Sequence, residues 1–337
     1  MNLKSLLSGL LLAGSLSPAL GQEAVPAEPG LDALHPGSQA FVQSLVEQHG
    51  IERQMVERML GEAQRRQDIL DAISRPAEAK PWHQYRPIFL TEKRIGDGIA
   101  FWREHEALLT DVARRFGVPP EIVVAIIGVE TNYGRITGRY RVIDALATLA
   151  FHYPPRSKFF TSELEQFFLL GSEEALDLNS VKGSYAGAMG LGQFISSSYR
   201  SYAVDYDGDG RRDLWQSHED AIASVANYFK RHGWRTDGPV VSPASRQGLA
   251  RELKKLPLKP AYPLMQIQEW GYRPEIQADG QELATLIELD GADGKEYWVG
   301  FHNFYVISRY NRSKLYSLAV YQLSQEILSR FQAGTAS

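Results

Sequence analysis

Pro119-Pro120-Glu121-Ile122-Val123-Val124-Ala125-Ile126-Ile127-Gly128-Val129-Glu130-Thr131-Asn132-Tyr133-Gly134 holds an unbroken apolar run from Ile122 to Val129, closed by one carboxylate. Such a run is a buried strand or a buried helix, and periodicity alone does not separate the two. Its frame does. Paired prolines suit a first helical turn, where no amide partner is needed, and Asn132 and Gly134 form a stop signal. About 15 residues lie between, long for a strand and roughly 22 Å as a helix. The stretch reads as a core helix with Glu130 at its C-terminal end.

Working outward, Phe41, Leu45, Val46, Val56 and Leu60 suit upstream helices that bury one face. The spacing predicts one helix over Phe101–Phe116, with Trp102, Leu108, Leu109 and Val112 buried. Downstream it predicts helices over Ile143–Phe151, Thr161–Leu170 and Asp220–Lys230, the last with Ile222, Val225, Ala226 and Phe229 inside. After Trp234, Pro239, Pro243, Pro257, Pro260 and Pro263 interrupt any helix, and near-alternating strands at Leu283–Leu289 and Lys295–Phe301 flank the turn Asp290–Gly294. An amphipathic helix carrying Leu315, Leu318, Ala319, Leu323 and Ile327 ends the chain and must pack on earlier helices. No internal repeat is found. The fold class is mainly α, with a helical core, a helical flank and a small β element.

The length of 337 residues allows two or three domains of about 100–200 residues. With Lys+Arg 36 against Asp+Glu 40 there is no basic concentration of the kind nucleic acid requires. Zero cysteines remove disulfides, thiolate nucleophiles and thiolate metal sites together. Residues 1–21 read as a secretory signal: Lys4, the apolar Leu6–Ala13, then Ala19 and Gly21 before the expected cleavage. That apolar stretch is too short to span a bilayer, so the mature product is expected to be exported and soluble. Residues 22–38 read as a linker, rich in Pro, Ala and Gly.

Several chemistries lack their signatures. His105-Glu106 has no second histidine for a zinc-protease helix, no phosphate-binding loop occurs, and Ser184 is not spaced as a nucleophile elbow. Glu130 is different. Ending an apolar helix, it loses water and faces the negative end of the macrodipole, and both effects raise its pKa. A carboxylic acid that stays protonated near neutral pH can hand a proton to the leaving oxygen of a glycosidic bond. Periodicity leaves open that Glu130 merely marks the polar end of a buried helix.

Ser184–Phe194 (SYAGAMGLGQF) combines small residues that let a backbone approach a polymer with Gln193, which can bond neutral amides, and Phe194 or Tyr185, which can stack on sugars. Tight packing would select the same glycines. In Asp205-Tyr206-Asp207-Gly208-Asp209-Gly210-Arg211, oxygens at positions one, three and five, glycine at six and the backbone carbonyl of Arg211 at seven match the start of an EF-hand loop. Position twelve is Gln216, so the last ligand would be Asp220 in a longer loop. Alternatively Ser217 and Asp220, at capping-box spacing, only satisfy helix amides. Tyr85, Tyr133, Tyr228, Tyr305 and Tyr310, each beside polar residues, suit a saccharide groove or the edge of a core.

Taken together, Gly128–Gly134, the Ser184–Phe194 run, the Asp205–Gly210 loop and Ala226-Asn227-Tyr228-Phe229 resemble the lytic murein transglycosylase B family over about 100 residues, and Trp82–Phe89 and Asn303–Asn311 extend the similarity over nearly the whole mature chain. The resemblance implies a lysozyme-like helical core flanked by a helical domain and a small β domain. Its boundaries would be a helical domain at 39–117 joined by the C-terminal helix 313–332, a catalytic core at 118–235 with the calcium loop 205–220, and a β domain returning to the groove at 236–312. It implies cleavage of the MurNAc–GlcNAc bond with Glu130 as the single acid/base and 1,6-anhydro ends as product. Ser184 and Gln193 fall on sugar-binding positions, Tyr85, Phe194, Tyr228, Asn303 and Tyr310 on groove walls, and Arg156 on a position facing the peptide stem, beside Pro155 where relatives can carry a second Arg. Asp205, Asp207, Asp209, the Arg211 carbonyl and Asp220 match its Ca2+ loop, a structural ion, with no organic cofactor. The implied partner is the peptidoglycan glycan strand, with cell-wall synthases as candidate protein partners, no nucleic acid, a monomeric state and a soluble periplasmic location. A hydrolysing muramidase on the same scaffold and a silent glycan-binding scaffold are the competing readings.

Overall fold

The computed structural model describes residues 35–74, 80–252 and 256–335. The predicted signal at 1–21 and all but the end of the predicted linker lie outside them. The described chain forms two compact units, one of residues 35–74 and 134–221, the other of residues 80–133 and 222–335.

The first unit is built on the helices Val142–His152 and Ser157–Glu173, which pack on each other. Every residue from Val142 to Phe151 is buried, and Phe160, Leu164, Phe167 and Phe168 fill the facing side. Phe41 of the helix Pro36–His49 closes this core, its ring 5.9 Å from that of Phe168. The turn after the helix Arg53–Glu62 is held from below: the Gln64 amide donates to buried Asp144 over 2.9 Å and the Arg66 amide to Thr148 Oγ1 over 3.1 Å. Two short strands, Tyr140–Arg141 (β1) and Lys182–Gly183 (β2), pair antiparallel.

In the second unit the helix Pro120–Thr131 is buried from Ile122 to Thr131, as its apolar run requires. The C-terminal helix Lys314–Thr335 packs along it and along Glu92–Glu104. Asn132 (φ 50°) and Tyr133 (φ 61°) both turn left-handed and end the helix, their amides returning to Gly128 and Ile127. Tyr133 then folds back between two glycines. A Cβ at either Gly98 or Gly128 would stand 2.5 Å from its hydroxyl, which donates to the Arg94 carbonyl over 2.9 Å.

The single helix expected at Phe101–Phe116 is two, Glu92–Glu104 and Glu106–Phe116. They meet at His105 (φ −114°, ψ 24°), whose ring packs 4.6 Å from Phe101; the apolar period runs across the break and hides it. The prolines after Trp234 do not exclude helix either, since Leu264–Glu269 starts directly after Pro263. The remaining strands are Val241–Arg246 (β3), Tyr262–Pro263 (β4), Tyr272–Pro274 (β5), Leu283–Asp290 (β6) and Lys295–Gly300 (β7), antiparallel in the order β4-β6-β7-β3-β5. Leu264, Ile267, Tyr272, Ala284, Leu286, Val299 and Phe301 form their core. Among the described residues no helix is long and apolar enough to cross a membrane.

Candidate active site

Glu130 sits one residue from the end of Pro120–Thr131, 9% exposed. The Tyr316 hydroxyl donates to its Oε1 over 2.5 Å. Burial pushes its carboxyl up to about 8, against the smaller lowering effect of the Tyr316 bond. At neutral pH the acid therefore keeps its proton. The Tyr316 phenol is raised well above its usual range by burial and by Glu130, so it stays a donor.

Three further tyrosines of the same unit, Tyr310, Tyr228 and Tyr85, lie close to this pair or to one another. Tyr310 is driven well above its usual range by burial first and by the nearby Glu130 second, and its ring lies 4.7 Å from that of Tyr228. The Tyr228 hydroxyl donates to the Arg309 carbonyl over 2.5 Å, and the ring stacks on His232 at 4.0 Å. Tyr85 is 1% exposed, packed on Trp82 and Phe89, within electrostatic reach of Tyr316. It lies beside the acid's partner, the position the resemblance assigns to a groove wall.

Asn303, also expected on a groove wall, is fully engaged in hydrogen bonds. Its Nδ2 donates to the carbonyls of Arg235 (2.8 Å) and Gly238 (2.9 Å), and its Oδ1 accepts the Arg235 amide (2.9 Å). Both donors are spent on holding the 235–238 turn. Asn311, which the sequence reading passed over, is the opposite case: 7% exposed, with neither Oδ1 nor Nδ2 bonded to any of the described residues. Tyr316 was also missed, because Leu315 and Leu318 beside it make the helix read as plain core.

In the other unit the run Ser184–Phe194 is a compact turn held by its own polar atoms. Ser184 Oγ accepts the amides of Ala186 (3.3 Å) and Ala188 (3.0 Å). Gln193 adopts φ 51° and donates through Nε2 to the carbonyls of Thr137 and Gly190, each at 3.0 Å. Its buried Oε1 has no hydrogen-bond partner among the described residues, leaving one acceptor for a ligand N–H or O–H. The Phe194 ring is 2% exposed, behind a backbone that exchanges two hydrogen bonds with Met189. It supports the turn at a position the resemblance assigns to a groove wall.

Arg156 lies over the rings of Phe159 (4.5 Å) and Phe160 (5.0 Å), with Nη2 buried and unbonded. Burial lowers its pKa. Near it Glu163, 4% exposed, accepts Ser197 N (2.9 Å) and Ser197 Oγ (2.7 Å), and burial raises its carboxyl.

The acidic loop brings carboxylate oxygens of Asp205, Asp207 and Asp209 within 4.8 Å of one another, all exposed. Asp205 accepts the amides of Gly208 (2.7 Å) and Gly210 (2.9 Å), and Asp209 that of Arg211 (2.8 Å), which curls the loop inward. Three hard oxygen donors so gathered fit a calcium ion. Asp220 stands outside this cluster. It is fully buried and its two oxygens take the amides of Tyr206 and Asp213, each at 2.7 Å. The Asp220 amide does donate to Ser217 Oγ (3.1 Å), half of a capping box. The carboxylate ties the loop's ends together, at the position expected to supply the last calcium ligand.

Residues 33–325 match the family described as the Transglycosylase SLT domain. The chain is 42% identical over 313 residues, 89% of its length and 85% of the relative's, to membrane-bound lytic murein transglycosylase B of Escherichia coli K12. Among solved structures it is similar to the soluble lytic transglycosylase SltB1 from Pseudomonas aeruginosa (47% identity, TM-score 0.83, 88% of this chain and 99% of that one). It is also similar to the Escherichia coli lytic transglycosylase Slt35 in complex with calcium (42% identity, TM-score 0.83, 92% and 98%). The chain belongs to the SLT-domain transglycosylases, with their lysozyme-like, mainly helical fold.

Proposed function

We propose that this protein is a peptidoglycan lytic transglycosylase that cleaves the MurNAc–GlcNAc β-1,4 bond and leaves 1,6-anhydroMurNAc ends. The observation that carries the reading is a buried Glu130 that accepts a hydrogen bond from Tyr316 and whose carboxyl burial pushes up to about 8. Glu130 gives its proton to the glycosidic oxygen as the bond to the MurNAc anomeric carbon breaks, and GlcNAc departs with that oxygen as a hydroxyl. The carboxylate so formed takes the proton of the MurNAc 6-hydroxyl as its oxygen bonds the anomeric carbon. Glu130 ends protonated and no water is consumed. A buried carboxylate whose resting form is neutral suits this cycle, because it is charged only between the two steps.

Gln193 Oε1 and Asn311 supply hydrogen bonds to sugar substituents, with Ser184 shaping the turn behind Gln193 and Tyr228 and Tyr310 bordering the acid. Arg156 faces a carboxylate of the peptide stem. Asp205, Asp207 and Asp209, with the Arg211 carbonyl, would hold calcium, which supplies charge neutralisation in the loop and no proton-transfer chemistry. The protein acts as a monomer, exported by residues 1–21 to the periplasm, where cell-wall synthases are candidate partners. Mass analysis of digested sacculi tests the assignment: released ends should be one water lighter than reducing ends. Reducing ends alone would mean that water, and not the 6-hydroxyl, captures the sugar.

A further inference from the structure

The acidic loop and the glycine-rich turn of the same unit meet through the backbone. The Leu191 amide donates to the Leu214 carbonyl over 2.8 Å. Gly190, at φ 69°, lies so close that a Cβ there would stand 2.5 Å from the same oxygen.

On the loop side, Leu214 is fixed by what surrounds it. Asp213 donates its amide to Asp220 and accepts the amides of Trp215 (2.8 Å) and Gln216 (2.9 Å). Arg212 is anchored on Glu174 through its own amide (3.0 Å) and Nε (2.6 Å). Movement among residues 205–211 therefore reaches Leu214 by way of Asp220, which grips Tyr206 and Asp213 at once. Asp207 is linked to the same helix start, since Ser217 Oγ donates to its Oδ2 over 2.9 Å. On the turn side, the Gln193 amide (3.2 Å) and Nε2 (3.0 Å) both donate to the Gly190 carbonyl. Shifting Leu214 shifts Gly190 and Leu191, and with them the carbonyl that aims Gln193 Oε1.

We infer that the Leu214 carbonyl is a positioning group for Gln193, and that the Leu191–Leu214 bond is the strap by which calcium in the Asp205–Asp209 cluster tunes glycan affinity. This rests on the reading of Gln193 as a sugar-binding residue. Three carboxylates within 4.8 Å repel one another until a cation neutralises them. Relaxation of the loop without the ion passes along the strap to Gln193. Glu130 has no part in this path, so the coupling falls on KM and leaves kcat alone.

The test uses the full chain with calcium chloride or with a chelator. With calcium, amide exchange at Leu191 and Gln193 should slow about tenfold. KM for isolated glycan strands should fall about fivefold, at the low end of coupling between sites, with kcat unchanged. Gln193→Ala should raise KM and abolish its calcium dependence. Gly190→Ala, which crowds the Leu214 oxygen, should speed Leu191 exchange even with calcium present. The inference is overturned if calcium does not bind, if it raises the melting temperature without slowing exchange at Leu191, if kcat carries the effect, or if Gln193→Ala raises KM in both conditions yet keeps the fivefold calcium dependence. Failure of the underlying reading looks different: Gln193→Ala would then match wild type in KM whether calcium is present or chelated.

Discussion

Tyr316 and Glu130 are joined by a 2.5 Å hydrogen bond in which the phenol donates to Oε1. Dehydration raises the acid and this bond lowers it, and dehydration wins. The bond also fixes the carboxyl plane, leaving Oε2 to carry the proton. Tyr316→Phe removes the lowering contribution and the fixed orientation together. It should cut kcat by about tenfold or more and move the alkaline limb of the rate profile to higher pH. A pH–rate series on wild type and variant checks this, and an alkaline limb that stays or moves down contradicts it.

Glu130→Gln keeps an oxygen to accept from Tyr316 but has no proton to give. Turnover of sacculi should fall by about 10²–10⁴-fold, while pelleting with sacculi is retained. Released muropeptides and co-sedimentation measure the two separately. Turnover near wild type would remove Glu130 from the chemistry and favour the glycan-binding scaffold.

The same side chain makes stability depend on pH. Its folded pKa of about 8 exceeds the ordinary 4.5, so the folded state binds the proton more tightly than the unfolded chain. Its contribution is fully favourable below 4.5, declines as pH rises to about 8, and is flat above. Glu163, Asp144 and Glu121, also raised by burial, act in the same direction, so the comparison must be with Glu130→Gln. That variant should be more stable than wild type at pH 8 by on the order of 3–5 kcal/mol and no more stable at pH 4. Chemical denaturation at both pH values reads the difference.

The apolar run and its proline and asparagine frame made the core helix legible, because a helix buried all round needs little from its neighbours to be recognised. The acidic loop was legible too, since its oxygen spacing is local. What the sequence left hidden depends on partners far along the chain. Asn303 and Asn311 look alike in sequence, yet one bonds to the 235–238 turn and the other's amide bonds to none of the described residues. Tyr316 lies 186 residues from Glu130, a pairing no local pattern encodes. The break at His105 was lost because one apolar period continues through both helices.

Calcium should raise the melting temperature, and a chelator should reverse it. At a hundredfold excess over its dissociation constant, one site adds about 2.7 kcal/mol. Asp205→Asn with Asp207→Asn should abolish the shift, since the cluster then keeps one carboxylate. An unchanged calcium response in that double variant would place the ion elsewhere.

Asn303 and Asn311 give opposite predictions for one substitution. Asn303→Ala deletes three hydrogen bonds and strands the Arg235 amide and the Arg235 and Gly238 carbonyls, so it should cost about 2–4 kcal/mol of stability. Its KM on glycan strands should stay near wild type wherever the variant is folded. Asn311 makes no protein hydrogen bond to lose, and its buried amide carries a desolvation cost. Asn311→Ala should therefore leave stability unchanged or slightly raised. Its effect should appear in substrate handling, as a rise in KM of about tenfold, the worth of one good hydrogen bond to a ligand. Denaturation midpoints and steady-state kinetics on the two variants form a crossed pair. If Asn311→Ala loses stability and Asn303→Ala loses affinity, the two residues have been assigned the wrong way round.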